Sequence, residues 1–579
     1  MNIENWKPKT ALVSVSDKTG IVPFCRELVE QGITIYSTGG TAKELRVGGV
    51  AVTDVTELLR CSLRTVLERH KVPADTIAAI LEETGQPFLR DRVKTLSREI
   101  SAGLLARYVE EDRDELARMG IPSIDIVVVN FYPLERTIAK PGVTVEEVIE
   151  GTDIGGPTMV RSGAKGRRIL VLNPACYEET LAALRDGRAA SDEFITEGVA
   201  YGEYLVARYC GASAAYHGKG KYYFLAGERV DEWPVKYGEN PQQAEATLYR
   251  TTDEDPLAVH RFEILEGSQP PSLVNITDLD RLLQTVTHVQ AGFAVNQLGS
   301  PMIAVGVKHG NACGAAIAPD AAGALRGMLA GDLTAVHGGF VMTNFPIGLP
   351  EAELLRQHLH FADTGLKKRL LDGVIAPEIT PEAFKELDRV DHGKCRGIVN
   401  SELGRLTPAS LDGTPLLKRV RGGFTLQPNY TFVMDLRHAR VEIFGELIEA
   451  DKANVILAWA VGCTSNSNTI SLVRMGALIG NGVGQQDRVF AAQTAIARAT
   501  RQHHKDVPPH DVRGAVAYSD SFFPFIDGPE KLIAAGVRTI FATSGARKDT
   551  DVQATCKAAG VTLVMIPDKD GRGFFGHGV

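Results

Sequence analysis

Apolar residues in this chain fall in short blocks that stop at small polar loops and resume at helical spacing. Ala11–Val15 predicts a buried strand that breaks at Ser16-Asp17-Lys18-Thr19-Gly20. Ile21, Phe24, Cys25, Leu28 and Val29 then recur on one helical face, and Gly32 ends that helix. Ile33–Tyr36 predicts a second strand, closed by Ser37-Thr38-Gly39-Gly40-Thr41 and another helix. Strand, polar loop and helix in repetition predict a parallel α/β sheet. Leu58–Gly85 is heavily charged, with Leu63, Val66 and Leu67 in helical register, and predicts helix. Ile124–Val129 predicts a strand running into Asn130-Phe131-Tyr132-Pro133. Ile169–Leu172 predicts another, before a helical stretch to about Gly211. Gly218–Pro234 mixes glycine, aromatics and charge, and we place a domain boundary in it, between 1–228 and 229–579. Further strands are predicted at Ile303–Val307, Val374–Ala376, Thr469–Val473, Ala515–Tyr518 and Thr539–Ala542. No sequence repeat is visible, although the second half is long enough for two similar subdomains.

Composition narrows the class. The 579 residues correspond to about four structural units at roughly 150 residues each. At 44% hydrophobic and 23% charged the chain is an ordinary folded protein. The longest apolar run, around Val455–Cys463, predicts a buried element and falls short of the ~20 residues needed to span a membrane. The polar start, Met1 to Lys9, has no apolar signal region. A net charge of -8 argues against nucleic-acid binding through a basic face, so an anionic ligand needs local basic sites. None of the eight cysteines forms a C-x-x-C pair, so neither zinc nor a disulfide framework is expected, and a reducing, cytoplasmic setting is.

The loops Ser14–Gly20 and Ser37–Thr41 each follow a strand and open a helix. Small residues there expose backbone N–H groups, and the helix N-terminus adds partial positive charge. Ser14, Ser16, Ser37, Thr38 and Thr41 add hydroxyls, Gly39 and Gly40 add open backbone, and Lys18 adds full charge. A single such loop reads equally well as a capped turn, but two adjacent ones favour a phosphate. Neither matches a Walker loop or the dinucleotide fingerprint, and Gly480-x-Gly482-x-Gly484 fails that spacing too, which disfavours a dehydrogenase. Further along, Lys94 and Lys165 are candidate cations, Tyr132 a proton donor or acceptor, and Asp153 a base beside the tight turn Ile154-Gly155-Gly156-Pro157. Each alone is more often solvated surface, packing or a turn former.

Val13–Gly20, Ser37–Thr41, Arg92–Leu96 and Asp153–Thr158 together resemble the N-terminal half of the bifunctional purine biosynthesis family, which joins AICAR transformylase to IMP cyclohydrolase (AICAR is 5-aminoimidazole-4-carboxamide ribonucleotide). The resemblance covers nearly the whole chain in the same order. It implies a methylglyoxal-synthase-like parallel-sheet domain. There Ser14, Ser16, Lys18, Ser37, Thr38, Gly39, Gly40 and Thr41, with Arg92, Asn130, Gly155 and Gly156, bind nucleotide, while Lys94, Tyr132, Asp153 and Lys165 assist closure of formyl-AICAR to IMP.

The second half carries Lys236–Gln243, Val274–Asp278, Lys308-His309-Gly310-Asn311, Asp372–Pro377, Ser467-Asn468, Gly484–Arg488 and Ser519–Asp527, all similar to transformylase motifs. Histidine exchanges protons near neutral pH and lysine can donate one, and formyl transfer needs both actions. Lys308-His309 alone reads as a surface lysine and a capped histidine; its flanks favour the functional reading. The resemblance implies His309 as base, Lys308 as donor and Asn468 as orienter of the carboxamide. It further implies that Lys236, Tyr237, Asn275, Gly338, Asp372, Arg488, Phe522, Asp527, Arg572 and Phe574 contact substrate or 10-formyltetrahydrofolate. It also implies two cytidine-deaminase-like subdomains, no catalytic metal, and a homodimer. Neither a P-C-x-x-C nor an H-x-E zinc signature is present. The chain departs from the family pattern at Ser97 and Ser101 (His in the family), Lys236 (Arg), Gln242 (His), Ala312 (Pro), His337 (Phe) and Ile526 (Arg), and carries an insertion over 61–85. Retention of a single activity, or a nucleotide-binding regulator without turnover, are the competing expectations.

Overall fold

β-Branched and aliphatic residues at Thr10–Val15 form the central strand of the first sheet, buried at almost every position. In this computed structural model, which describes residues 6–84, 93–252, 254–360, 368–389 and 393–575, the chain divides into two compact units, Met1–Ala226 and Gly227–Val579.

The first unit runs β1 (Thr10–Val15), α1 (Ile21–Glu30), β2 (Thr34–Ser37), α2 (Gly39–Val47), β3 (Thr53–Asp54), α3 (Thr56–Arg69), α4 (Ala74–Thr84), α5 (Arg98–Leu105), α6 (Glu110–Arg118), β4 (Ile126–Asn130), α7 (Leu134–Ile138), α8 (Val145–Glu150), α9 (Gly155–Lys165), β5 (Ile169–Val171), α10 (Tyr177–Asp186) and α11 (Asp192–His217). Its five strands lie in the order β3-β2-β1-β4-β5, every pair parallel. Apolar side chains alternate between two cores, one on each face. Val13, Ile35 and Val128 pack under α1 and α10, while Leu12, Val127 and Val129 pack under α5, α9 and α11. The loops after β1, β2 and β4 therefore share one end of the sheet, where open α/β sheets bind ligands. The segment expected to be an insertion is a helical pair, α3 and α4; its residue 85 lies outside the described residues.

The second unit runs β6 (Glu228–Pro234), β7 (Thr247–Arg250), β8 (Glu263–Ile264), α12 (Leu273–Val295), β9 (Met302–Lys308), β10 (Asn311–Ala318), α13 (Ala321–Ala330), β11 (Phe340–Thr343), α14 (Leu349–Gln357), β12 (Gly373–Ala376), α15 (Pro381–Leu387), β13 (Arg396–Val399), β14 (Leu416–Val420), β15 (Gly423–Gln427), β16 (Glu442–Phe444), α16 (Glu449–Cys463), β17 (Ile470–Arg474), β18 (Ala477–Gly482), α17 (Arg488–Ala499), β19 (Val516–Ser519), α18 (Asp527–Ala534), β20 (Thr539–Ser544), α19 (Asp549–Ala558) and β21 (Thr562–Pro567). Its main sheet has twelve strands, ordered β16-β21-β20-β19-β17-β18-β10-β9-β11-β12-β13-β8.

The sheet is a duplication. In each half a buried helix (α12 or α16) precedes an antiparallel hairpin (β9–β10 or β17–β18) and then three parallel strands (β11-β12-β13 or β19-β20-β21). The halves meet where β10 pairs antiparallel with β18. The glycines of Gly480-x-Gly482 serve packing. A Cβ at Gly480 would stand 2.2 Å from Ala495 O, and one at Gly482 2.1 Å from Ala491 O, so their absence lets α17 settle on β18. Gly314 does the same beneath α13, where a Cβ would meet Met328 O at 2.1 Å.

Candidate active sites

In the first unit β1 ends at Val15 and β4 at Asn130, side by side. The Asn130 amide clamps the first loop: its Oδ1 accepts from Ser16 N (2.6 Å) and Asp17 N (2.8 Å), and its Nδ2 donates to Asp17 O (2.9 Å). Gly20 follows at φ 69°, a left-handed turn that starts α1. The second loop is fastened to the first from below. The buried Ser37 hydroxyl donates to Val13 O (2.7 Å), and Thr41 Oγ1 donates to Val15 O (3.1 Å) and accepts from Val15 N (3.2 Å). These two hydroxyls are thus turned inward to hold β1, while half-buried Ser14, Ser16 and Thr38 and exposed Lys18, Gly39 and Gly40 lie nearer the surface. A Cβ at Gly40 would lie 4.0 Å from Lys18 Nζ, so the ammonium rests on the second loop and joins the two.

Lys94 Nζ lies 3.3 Å from Asp54 Oδ1, at the end of β3, and Asp54 Oδ1 also accepts from Thr56 N (3.0 Å) and Thr56 Oγ1 (2.9 Å). Thr95 Oγ1 would stand 2.6 Å from a Cβ at Gly155, so the Lys94-Thr95 segment abuts the Gly155-Gly156 turn. A Cβ at Gly156 would meet Asp153 Oδ2 at 2.6 Å and Phe131 Cδ1 at 2.9 Å; only glycine fits. Asp153 Oδ1 accepts from Gly156 N (2.8 Å), and Asp153 N donates to Tyr209 Oη (2.6 Å). Burial raises the Asp153 carboxyl above its ordinary value, opposed by backbone N–H groups of Gly156, Tyr132 and Gly155. Tyr132 itself is exposed. Lys165 ends α9, about 15 Å along the axis from Gly155 at 1.5 Å per residue, so within one chain it is not brought beside Asp153. Ser97 caps α5 by accepting from Ile100 N (3.2 Å), and Ser101 Oγ donates to Ser97 O (2.8 Å). Arg92 lies outside the described residues.

In the second unit Lys308 ends β9 and Asn311 begins β10, so His309-Gly310 is a two-residue hairpin turn. Both residues have positive φ, 53° and 70°, as tight hairpin turns of mirror type require. For histidine this conformation costs roughly 1 kcal/mol or more. The buried Asp278 on α12 holds it: its Oδ1 accepts from Gly310 N at 2.7 Å. Lys308 Nζ donates to His337 O (2.7 Å) and lies against Gly338. The His337 ring is pushed below its ordinary value by burial first and then by the nearby Lys308 charge. Asp372 Oδ1 pairs with the Arg389 guanidinium at 2.5 Å. Lys236 and Tyr237 reach the start of α12 through backbone bonds, Lys236 N to Pro271 O (2.8 Å) and Leu273 N to Tyr237 O (3.0 Å), while Asn275 caps that helix by accepting from Ser272 N (2.9 Å).

The other half contributes Asn468, whose Nδ2 donates to Gln485 O (2.9 Å) and whose Oδ1 accepts from Arg488 (2.8 Å). Arg488 also donates to Ser519 Oγ (2.9 Å) and pairs with the fully buried Asp520. The Arg572 guanidinium sits 5.7 Å from the Phe522 ring centre and pairs with Asp568 at 2.6 Å. Gly573 N donates to Asp520 O at 3.3 Å, which brings the tail segment holding Phe574 to this loop. Asp527 begins α18 at the surface. Asn466 N donates to Asn311 Oδ1 (3.3 Å), so the His309 turn and the Asn468 loop form one site across the seam between the halves.

Residues 166–498 match the family model described as AICARFT/IMPCHase bienzyme, and residues 20–158 match the MGS-like domain. The chain belongs to the AICARFT/IMPCHase bienzyme family. It is 33% identical to the bifunctional purine biosynthesis protein PurH of Acidithiobacillus ferrooxidans over 573 residues, 96% of this chain and 97% of that protein. The PurH proteins of Synechococcus elongatus and Sorangium cellulosum are 32% and 33% identical, each over 96% of this chain and 98% of their own length. As a member of this bienzyme family the chain is a bifunctional purine-biosynthesis enzyme, with an MGS-like domain followed by the transformylase fold, and takes a folate-type cosubstrate. Among the described residues no group of three or more His, Cys, Asp or Glu could hold a metal ion, and no helix is long and apolar enough to cross a membrane.

Sequence reasoning on this bienzyme passed over Asp54, Tyr209, Asp278, Arg389 and Asp520. Asp278 and Asp520 lie inside motifs whose neighbours were chosen; Arg389 and Tyr209 carry no signal, since their partners are set by tertiary packing. Asp278 yields a direct expectation. Asp278→Ala leaves Gly310 N without its acceptor and releases the turn, a loss of about 1–3 kcal/mol of local order. The kcat of formyl transfer should fall about tenfold or more with KM for AICAR moved much less, and Asp278→Asn, which keeps the acceptor, should recover most of it. Equal loss in both variants would rule out a positioning role.

Proposed function

We propose that this chain transfers the formyl group of 10-formyltetrahydrofolate to AICAR in its second unit and closes formyl-AICAR to IMP in its first, as a cytoplasmic homodimer. The observation that supports this reading best is that each unit gathers a cation and a proton acceptor at one end of its sheet, Lys94 with Asp153 and Lys308 with His309.

In formyl transfer the 5-amino nitrogen of AICAR attacks the formyl carbon. The nitrogen loses one proton and the folate N10 gains one as its bond to carbon breaks. His309 takes the first and Lys308 supplies the second, its ammonium already aimed by His337 O. Asn468, fixed by Arg488 and Gln485, orients the carboxamide, and Tyr237, Asn275, Arg572 and Phe574 enclose the nucleotide. In ring closure the carboxamide nitrogen attacks the formyl carbon and gives up one proton, the formamide nitrogen gives up another, and the formyl oxygen leaves as water. Asp153 accepts a proton and Lys94 and Tyr132 stabilise the developing alkoxide. Ser14, Ser16, Lys18 and the Thr38–Gly40 backbone take the phosphate and ribose; Ser37 and Thr41 shape that cradle from beneath. Lys165 has no place in this set within one chain.

Two assays test the reading. With AICAR and 10-formyltetrahydrofolate, tetrahydrofolate should be released; with formyl-AICAR alone, IMP should form. Nucleotide binding without turnover in either assay would reject an enzyme, and turnover in one alone would reject the pair.

A further inference from the structure

The first unit carries a cavity of about 610 Å³ at the opposite end of its sheet from the phosphate loops. It is lined by Thr10, where β1 begins, and Asp125, just before β4, whereas the loops follow the other ends of those strands. Its floor is the buried Asp125 carboxylate, whose charge is already met by Lys9 N (2.7 Å), Thr10 N (3.3 Å), Thr10 Oγ1 (3.3 Å), Tyr108 Oη (3.3 Å) and Ser123 Oγ (3.3 Å). One wall is aromatic. Trp6 meets Tyr108 edge to face at 5.1 Å, and the wholly buried Arg168 guanidinium braces the Tyr108 ring at 4.5 Å. The rim is cationic. Arg107 is spent on Asp112 and Glu111, but among the described residues Lys7, Lys9 and Arg113 have no carboxylate partner.

We propose that this cavity binds a planar aromatic anion of the nucleoside monophosphate class, separate from the ring-closure site. The volume lies within the ~300–1,000 Å³ of small-molecule sites. Aromatic rings that served packing alone would be covered by other side chains; here they border open space. A flat base stacks on one of the two rings, whose planes stand 69° apart, and a phosphate, with roughly -1.5 to -2 charge at pH 7, meets the three cations that lack a carboxylate partner. The satisfied floor adds no repulsion beyond its own screened charge, and a multiply charged anion is what three like charges at one rim select.

Trp6 makes the site observable. The other two tryptophans, Trp233 and Trp459, are buried in the second unit, so ligand at this cavity should change Trp6 fluorescence alone. AMP is the probe, titrated into the full-length protein, with Trp6→Phe as the signal control. The expected result is a saturable change that Lys9→Ala with Arg113→Ala weakens at least tenfold; both side chains are at the surface, so the fold should persist. Lys18→Ala, which disables the phosphate loops instead, should leave this binding unchanged. Inorganic phosphate alone should bind at least tenfold more weakly than AMP, because it has no ring. Absence of saturation at millimolar AMP, insensitivity to the Lys9/Arg113 pair, loss in Lys18→Ala, or equal affinity for phosphate would each overturn the proposal.

Discussion

His309→Ala is expected to lower formyl transfer by about 10²–10⁴-fold, the range for loss of a general base, while ring closure of supplied formyl-AICAR keeps its rate. The backbone around this residue is anchored independently of its ring, by Asp278 on Gly310 N and by Asn311 Nδ2 on His309 O (3.1 Å). The imidazole can therefore be removed without dismantling the turn. His309→Gly provides the control, because glycine accepts φ 53° without strain. If alanine and glycine lose formyl transfer equally, the ring and not the backbone conformation carries the effect. Tetrahydrofolate release and IMP formation, followed separately on the same preparation, decide the matter. Comparable loss of both activities in a folded variant would mean that the assignment of activities to units is wrong.

Asp153→Asn should lower ring closure by a similar ~10²–10⁴-fold and leave formyl transfer intact. The carboxyl is raised above its ordinary value of 3.8 chiefly by burial. As a base it must be ionised, so the wild-type rate of ring closure should fall on an acid limb above pH 3.8, and the small residual rate of the variant should be flat across that limb. Stability moves in the opposite direction. Below pH 3.8 the carboxyl is protonated in both folded and unfolded chains and its burial costs nothing extra. As pH rises through the raised folded value the unfolded chain ionises first, and wild-type stability declines. The melting temperature of the variant relative to wild type should therefore climb as pH rises above 3.8. A difference that stays constant with pH would show that Asp153 is not held out of water.

Much of the first unit was legible in its sequence because its strands are buried on both faces and its loops are short and polar. The β1, β2 and β4 expectations match the observed strands to within two residues at either end. The second unit was legible where a strand is a run of large aliphatics, as at Met302–Lys308, and not where it is built from small residues. β10 (Asn311–Ala318) is largely alanine and glycine, and β18 contains Gly480 and Gly482 because helices press on it. Hydrophobic periodicity has little to report in such a strand. The duplication left no visible sequence repeat for the same reason, since it resides in backbone topology; the two subdomains were expected only from the family resemblance. Among the candidate site residues, the sequence singled out those at strand ends. The groups that hold them, buried Asp278 and Asp520 and half-buried Asp54, reveal themselves only when a distant loop arrives beside them.

The pairing of β10 with β18 has a historical reading. Each is the second strand of its own half, and the two run antiparallel, which is how identical edges meet across a two-fold axis. The seam thus has the form of an isologous subunit interface retained inside a single polypeptide. On that view an ancestor would have been a small protein that dimerised through this edge, and joining the two copies freed each to specialise. One now presents Lys308 and His309, and the other presents Asn468 and Arg488. A pocket that symmetry would once have made twice became one asymmetric pocket, bordered by the His309 turn on one side and the Asn468 loop on the other.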